Sequence, residues 1–248
     1  MLKPTSRVDS GAHSAINNGV YSASRVLARL VGVTVFSLRC TGRENIPASG
    51  PVLVCSNHQS TFDPVLVGLC SDRRMNYLAR ESLFRIPGFR RLIAYYDAIP
   101  IDREGTGLAG IKETLRRLKR GEMVLIFPEG SRTWDGELAP LKPGCLTLAR
   151  RANAAILPVG IDGAFDVLPR HRTWPRVAKM AVDLGAPILP TEAAALNDEA
   201  LLAELTQRME ACHRRARTLR GAAAELSSAP ENCEVAPQDG VTCHAFAQ

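Results

Sequence analysis

Aromatic residues are scarce in this 248-residue chain, 5% of positions with only two Trp, and its Lys and Arg are dispersed rather than interleaved with Phe or Tyr. A base-stacking surface needs that interleaving, so nucleic acid is not an expected partner. The seven cysteines (Cys40, Cys55, Cys70, Cys145, Cys212, Cys233 and Cys243) form no C-x-x-C pair, and their number is odd. That argues against a disulfide framework and against a cysteine zinc site. A reducing compartment is the simplest setting for them. No apolar run approaches the roughly 18 uncharged residues needed to span a bilayer. Residues 1–19 are polar and lack the apolar core of a signal peptide. Residues 221–248 have no Lys or Arg and carry Glu225, Glu231, Glu234 and Asp239 among Ala, Ser and Pro. They read as a flexible acidic tail. No internal repeat is present.

What the chain does have is a basic, apolar-rich body. Hydrophobic residues make up 46% and charged residues 23%, enough for a sizeable core. Residues 1–220 hold all 31 Lys and Arg against 21 of the 25 acids, a formal +10. A basic body suits phosphorylated substrates or an anionic membrane surface. After a flexible start over 1–15, residues 16–39 form the first organised unit. Ile16, Val20, Ala23, Val26, Leu27, Leu30, Val31, Val33, Phe36 and Leu38 give a broad apolar face. Ser22, Arg25, Arg29 and Gly32 line a polar stripe at helical spacing. Such a helix lies in a membrane interface, or packs on the domain core with two solvated Arg.

Apolar strands and helical patterns then alternate. Strands are expected at Val52–Cys55, Met75–Ala79, Ala98–Ile101, Glu122–Phe127, Ile156–Ile161 and Val177–Leu184. Helices are expected at Pro64–Cys70, Ile86–Tyr95, Leu108–Arg120, Leu146–Ala152 and Leu196–Arg217. This alternation predicts an α/β fold over residues 40–220: one domain with a largely parallel central sheet flanked by helices.

Four blocks carry chemistry. The first, Asn57-His58-Gln59-Ser60-Thr61-Phe62-Asp63, follows a strand and precedes a helix, where α/β sheets place their ligand loops. A carboxylate five residues after a His can fold back onto one ring nitrogen, fixing the tautomer while the other nitrogen takes a proton. A surface His beside a helix-capping Asp has the same spacing. The second block, Ile99-Pro100-Ile101-Asp102-Arg103-Glu104, ends a strand with an Arg fork suited to phosphate, or with an ordinary ion pair. The third, Phe127-Pro128-Glu129-Gly130-Ser131-Arg132, follows the V-L-I-F strand. There backbone N–H groups, Ser131 and Arg132 can converge on an anion, with Glu129 accepting from a substrate hydroxyl or holding an Arg. The fourth, Ile156-Leu157-Pro158-Val159-Gly160-Ile161, puts a Pro in an apolar strand, which places that strand at an edge or the Pro at a start.

Together the four blocks resemble the glycerolipid acyltransferase family, the enzymes that acylate lysophosphatidic acid and related glycerol phosphates, in its bacterial phospholipid-synthesis form. The family's N-H-x-x-x-x-D is met by Asn57, His58 and Asp63, and its F-P-E-G-[TS]-R by Phe127 to Arg132. Its second motif is matched at Arg103 and its fourth at Pro158, in the same order, across about residues 40–190. Ala98 and Pro100 stand where the second motif often has Gly and an aromatic, Arg80 where Lys is common, and Ser131 where Thr is commoner. The resemblance implies transfer of an acyl group from a thioester to the free hydroxyl of 1-acyl-sn-glycerol 3-phosphate, with His58 as general base oriented by Asp63. It puts the acceptor phosphate on Arg103 and Arg132, with Glu129, Gly130 and Ser131 shaping its pocket. It implies acyl-CoA or acyl-carrier protein as co-substrate, no metal or other cofactor, and a peripheral or monotopic place on the cytoplasmic face of a membrane. Glycerol 3-phosphate, another lysophospholipid or a lyso-aminolipid are alternative acceptors, and a non-catalytic lipid-binding protein is the alternative role.

Overall fold

The runs Val-Leu-Val-Cys-Ser, Met-Val-Leu-Ile and Ala-Val-Asp-Leu are buried along their whole length. A strand buried on both faces needs helices above and below it, which is the environment of a parallel sheet. The structure, a computed structural model, describes residues 26–80, 98–101 and 108–228. A helix over 26–36 (α1) leads into β1 (Arg39–Thr41), a 3-10 turn, β2 (Val52–Ser56), α2 (Asp63–Cys70), β3 (Met75–Arg80) and β4 (Ala98–Ile101). Then come α3 (Leu108–Lys119), β5 (Met123–Ile126), α4 (Gly144–Ala152), β6 (Ala155–Asp162), α5 (Ala164–Val167), β7 (Ala181–Leu184), α6 (Pro190–Ala195) and α7 (Asp198–Ser228).

The seven strands lie in the order β1-β7-β6-β2-β5-β3-β4. Every pairing is parallel except β6 with β7. Successive residues of β2 face opposite layers. Leu53 and Cys55 join Leu118, Leu146, Leu201, Leu205 and Met209 under α3, α4 and α7. Val52 and Val54 join Leu66, Val67, Leu157 and Val182 under α2. Each fully buried Leu, Ile or Met contributes roughly 1.5–3 kcal/mol. The long helix α7 buries Leu201, Leu205, Met209, Cys212 and Ala216, one stripe at helical spacing. It comes so close to β6 that a Cβ on Gly160 would lie 2.2 Å from the backbone nitrogen of His213.

Pro158 sits on β6, third of seven strands, not at an edge. Its carbonyl accepts from Gly185 N–H at 2.9 Å, so its backbone polar side faces β7. It falls between the Val159–Leu184 pairing and the isolated Ile156–Ile188 bridge, where the ladder is interrupted and little is lost by lacking an N–H. The last strand begins at Ala181, not Val177, which is exposed. The three-residue β1 and the short α6 carried no periodic signal. The helix α1 stops at residue 36, because Ser37 adopts a left-handed conformation and Leu38 N–H closes on Gly32 O at 2.9 Å. The final helix continues to Ser228, into the segment read as a tail. Residues 1–25, the helix expected at Ile86–Tyr95 and residues 229–248 lie outside the described residues.

Candidate active site

Parallel pairing sets the C-terminal ends of β2 and β5 side by side, with Cys55 opposite Ile126, so the loops carrying His58 and Glu129 emerge together. The first loop is locked at its root. Buried Asn57 donates from Nδ2 to Ile161 O at 2.9 Å and accepts Ile161 N–H at Oδ1 at 2.7 Å, fastening the end of β2 to β6.

Asp63 stands at the first position of α2 and Pro64 at the second, in the first turn where a missing N–H costs nothing. Asp63 folds back over its own turn. Its Oδ2 accepts from Gln59 N–H at 2.6 Å and Ser60 N–H at 2.7 Å, and meets His58 Nδ1 at 2.8 Å. The carboxylate is completely buried, and its Oδ1 has no hydrogen-bond partner among the described residues. Burial raises the Asp63 carboxyl above the ordinary range, while His58 and the two N–H groups pull it back. The His58 ring stacks on Phe127, centroids 3.8 Å apart and planes 13° from parallel. With Nδ1 committed to Asp63, Nε2 is the nitrogen left to exchange a proton.

Among the described residues, Glu129 meets two backbone N–H groups and no Arg. Its Oε1 accepts His58 N–H at 2.7 Å and its Oε2 accepts Ala139 N–H at 3.1 Å, so it clamps the His58 loop to the chain beyond the turn. Burial pushes its carboxyl up to about 7, against the pull of those two N–H groups. Gly130 holds φ +79°, where a side chain is strained, and its N–H closes the turn on Phe127 O at 3.0 Å. Ser131 is exposed. Arg132 donates from Nη1 to the Thr61 hydroxyl at 2.9 Å, which sets its guanidinium over the His58 loop. Thr133 N–H also donates to His58 O at 2.8 Å. His58, Asp63, Glu129, Gly130 and Arg132 thus come together around one pair of strand ends. Arg103 lies outside the described residues.

Residues 37–162 match the family model described as Acyltransferase, just over half of the chain. This chain belongs to the acyltransferase family. A 1-acyl-sn-glycerol-3-phosphate acyltransferase of Bacillus subtilis is 29% identical over 183 residues, 73% of this chain and 86% of the relative. Another, of Pseudomonas aeruginosa, is 32% identical over 191 residues, 75% of this chain and 70% of the relative. The fold is shared with the crystal structure of the 1-acyl-sn-glycerophosphate (LPA) acyltransferase PlsC from Thermotoga maritima, at a TM-score of 0.70 and 23% identity over 90% of this chain and 86% of that one.

Behind the two motifs of this acyltransferase lies a polar cluster that sequence reading missed. Gln59 donates from Nε2 to Gly136 O at 2.7 Å, accepts Phe165 N–H at Oε1 at 3.3 Å, and comes within 3.4 Å of His213 Nε2. His213, on α7, also faces Asp162 Oδ1 at 3.4 Å. Burial raises the Asp162 carboxyl, but His213, Arg220 and Arg217 outweigh it and leave it below its usual value. This cluster ties the loop after His58 to the C-terminal helix. Only the i, i+4, i+7 spacing of His213, Arg217 and Arg220 on α7 carries a signal for it, and that spacing equally describes a solvated helix face.

Proposed function

We propose that this protein transfers a fatty acyl group from an acyl thioester to the free hydroxyl of 1-acyl-sn-glycerol 3-phosphate, giving phosphatidic acid. The observation that carries the reading is the contact of His58 Nδ1 with the fully buried Asp63 carboxylate. Family membership makes acyl transfer the chemistry, and the names of the relatives favour lysophosphatidic acid as acceptor.

His58 Nε2 takes the proton of the acceptor hydroxyl as its oxygen attacks the thioester carbonyl. The imidazolium is stabilised by Asp63. The tetrahedral intermediate then collapses, the C–S bond breaks, and the imidazolium proton goes to the departing thiolate. The acceptor is itself the nucleophile, so no acyl-enzyme forms. Arg132 binds the acceptor phosphate, where a two-point contact brings orientation as well as affinity. Arg103 shares that role, as the family motif implies. Glu129 holds the His58 loop in place, and Gly130 and Ser131 shape the turn that presents Arg132. Acyl-CoA or acyl-carrier protein is a co-substrate, and proton transfer through His58 needs no cofactor.

The acceptor draws the enzyme to the cytoplasmic face of a membrane as a peripheral or monotopic protein. The face of α1 supports this. Val26, Leu27, Leu30, Val31, Val33 and Val35 are exposed, whereas Arg29 is turned inward, donating to Leu69 O at 2.6 Å and Asp72 Oδ1 at 2.8 Å. The helix was expected to lie with its apolar side in the acyl region and its Arg near the headgroups; its apolar side is exposed, but Arg29 is held by the domain. No helix among the described residues is long and apolar enough to cross a membrane.

The deciding experiment follows thiol release and phosphatidic acid from a long-chain acyl-CoA and lysophosphatidic acid, for the wild type and His58→Ala. Product from the wild type, with a loss of at least about 10²–10⁴-fold in the variant, is expected. Equal rates would refute His58 as the base. An acceptor panel with glycerol 3-phosphate, other lysophospholipids and a lyso-aminolipid tests the acceptor. Turnover of one of these in place of lysophosphatidic acid would replace it.

A further inference from the structure

Both tryptophans of the chain, Trp134 and Trp174, are exposed, at 69% and 81%, and Val177, three residues after Trp174, is 74% exposed. Trp is costly to leave in water, and its amphipathic ring is at home where one end is apolar and the other wet. The segment that carries Trp174 reaches Trp134 through Arg170. Arg170 stacks over the Trp134 ring, its guanidinium carbon 3.6 Å from the centroid, and donates from Nη1 to Arg132 O at 3.3 Å. Residues 168–179 carry Arg170, Arg172, Arg176 and Lys179 and no acid. Among the described residues, none of Arg170, Arg172 and Arg176 pairs with a carboxylate. The segment is fixed at both ends. Ser60 Oγ donates to Leu168 O at 2.8 Å beside the His58 loop, and Met180 N–H donates to Phe36 O at 3.1 Å at the end of α1.

We propose that residues 168–177 and Trp134 form a second membrane-facing limb, which seats on an anionic lipid surface and continues the exposed apolar face of α1 to the rim of the His58–Asp63 site. The chemistry matches the occupant on two counts. Two exposed indoles and Val177 suit the headgroup boundary, and a run of cations without carboxylate partners suits its negative charge. The limb brings the bilayer to the loop that carries Arg132, so an acceptor reaches the site with its phosphate still at headgroup depth. This rests on the acceptor being a lipid.

The chain has no tryptophan outside this surface, so intrinsic fluorescence reads the limb and not α1. The full-length protein is mixed with vesicles of phosphatidylcholine, with and without phosphatidylglycerol, some carrying brominated acyl chains. A blue shift of Trp emission and quenching by the brominated lipid are expected, both stronger with phosphatidylglycerol. Trp134→Phe and Trp174→Phe separate the two rings, and each remaining Trp should shift. The Arg172→Gln/Arg176→Gln double variant should bind anionic vesicles about 25-fold more weakly, at about fivefold per cation. Vesicles that co-sediment with the protein while its emission stays unchanged would overturn the limb and leave α1 as the contact. A shift produced by acidic acyl-carrier protein and not by vesicles would overturn it in favour of a protein partner. The readout is binding, so a protein that docks in this way yet makes no phosphatidic acid separates failure of the function from failure of the limb.

Discussion

Replacing Asp63 by Asn tests the site more sharply than removing it. Oδ2 of Asp63 accepts two backbone N–H groups, from Gln59 and Ser60, as well as facing His58 Nδ1. An amide NH₂ in that position would point at two donors, so the Asn oxygen is forced to take it. The oxygen still accepts from His58 Nδ1–H, and the reactive tautomer survives. What is lost is the negative charge facing the imidazolium. A charge-assisted hydrogen bond contributes about 1.5–3 kcal/mol against about 1 for a neutral one. The expected cost is therefore about 1–2 kcal/mol in the transition state, a fall in kcat of roughly 5–30-fold. The amide NH₂ would occupy the place of Oδ1, which has no partner. An unmade buried donor costs about 1–3 kcal/mol, offset by no longer burying a charge, so Tm should move by a few degrees at most. The assay is acyl-CoA thiol release with lysophosphatidic acid, alongside a thermal melt. A fall near 10⁴-fold, the cost of a wrong tautomer in a Ser-His-Asp triad, would show that the two N–H groups do not pin the oxygen. An unchanged kcat would remove Asp63 from the mechanism.

Arg132→Ala should raise KM for lysophosphatidic acid by about 10-fold or more while moving KM for acyl-CoA little, as steady-state kinetics on both substrates will show. Glu129 makes stability depend on pH: its folded carboxyl titrates near 7 against an ordinary 4.5, so the folded state holds a proton that the unfolded chain has lost. That contribution, about 3 kcal/mol at most, is full below pH 4.5 and lost as pH rises through 7. Urea melts across pH 4.5–7.5 should show a shallower decline for Glu129→Gln than for the wild type. Gly160→Ala drives a Cβ into the backbone of Cys212 and His213 at 2.2–2.3 Å, and should cost about 3 kcal/mol or prevent docking of α7, as read by chemical denaturation.

The strands β2, β5 and β6 and the helices α2, α3 and α4 were legible in the sequence because each carries a local period or an unbroken apolar run bounded by Gly, Pro or a polar loop. The pairing of His58 with Asp63 was legible too, since five residues across a turn is a local relation. β1 was not: three residues become a strand only because β7 lies alongside them. Pro158 misled because the cost of a strand proline depends on the neighbour that faces its nitrogen, which is a property of the sheet. The roles of Glu129 and Arg29 were also invisible. A carboxylate that clamps two backbone N–H groups and an Arg that turns inward look, in one dimension, like any other charge.

The chemical groups, their order and the alternation that makes a parallel sheet are written in the linear chain, because these depend on neighbours a few residues apart. It takes the folded sheet to bring the loops after β2 and β5 together, and to set Gln59 against His213 some 150 residues away. The fold also decides which side of α1 faces outward. Those outcomes depend on strand order and helix packing, and contacts between distant segments leave no periodic trace in the chain that makes them.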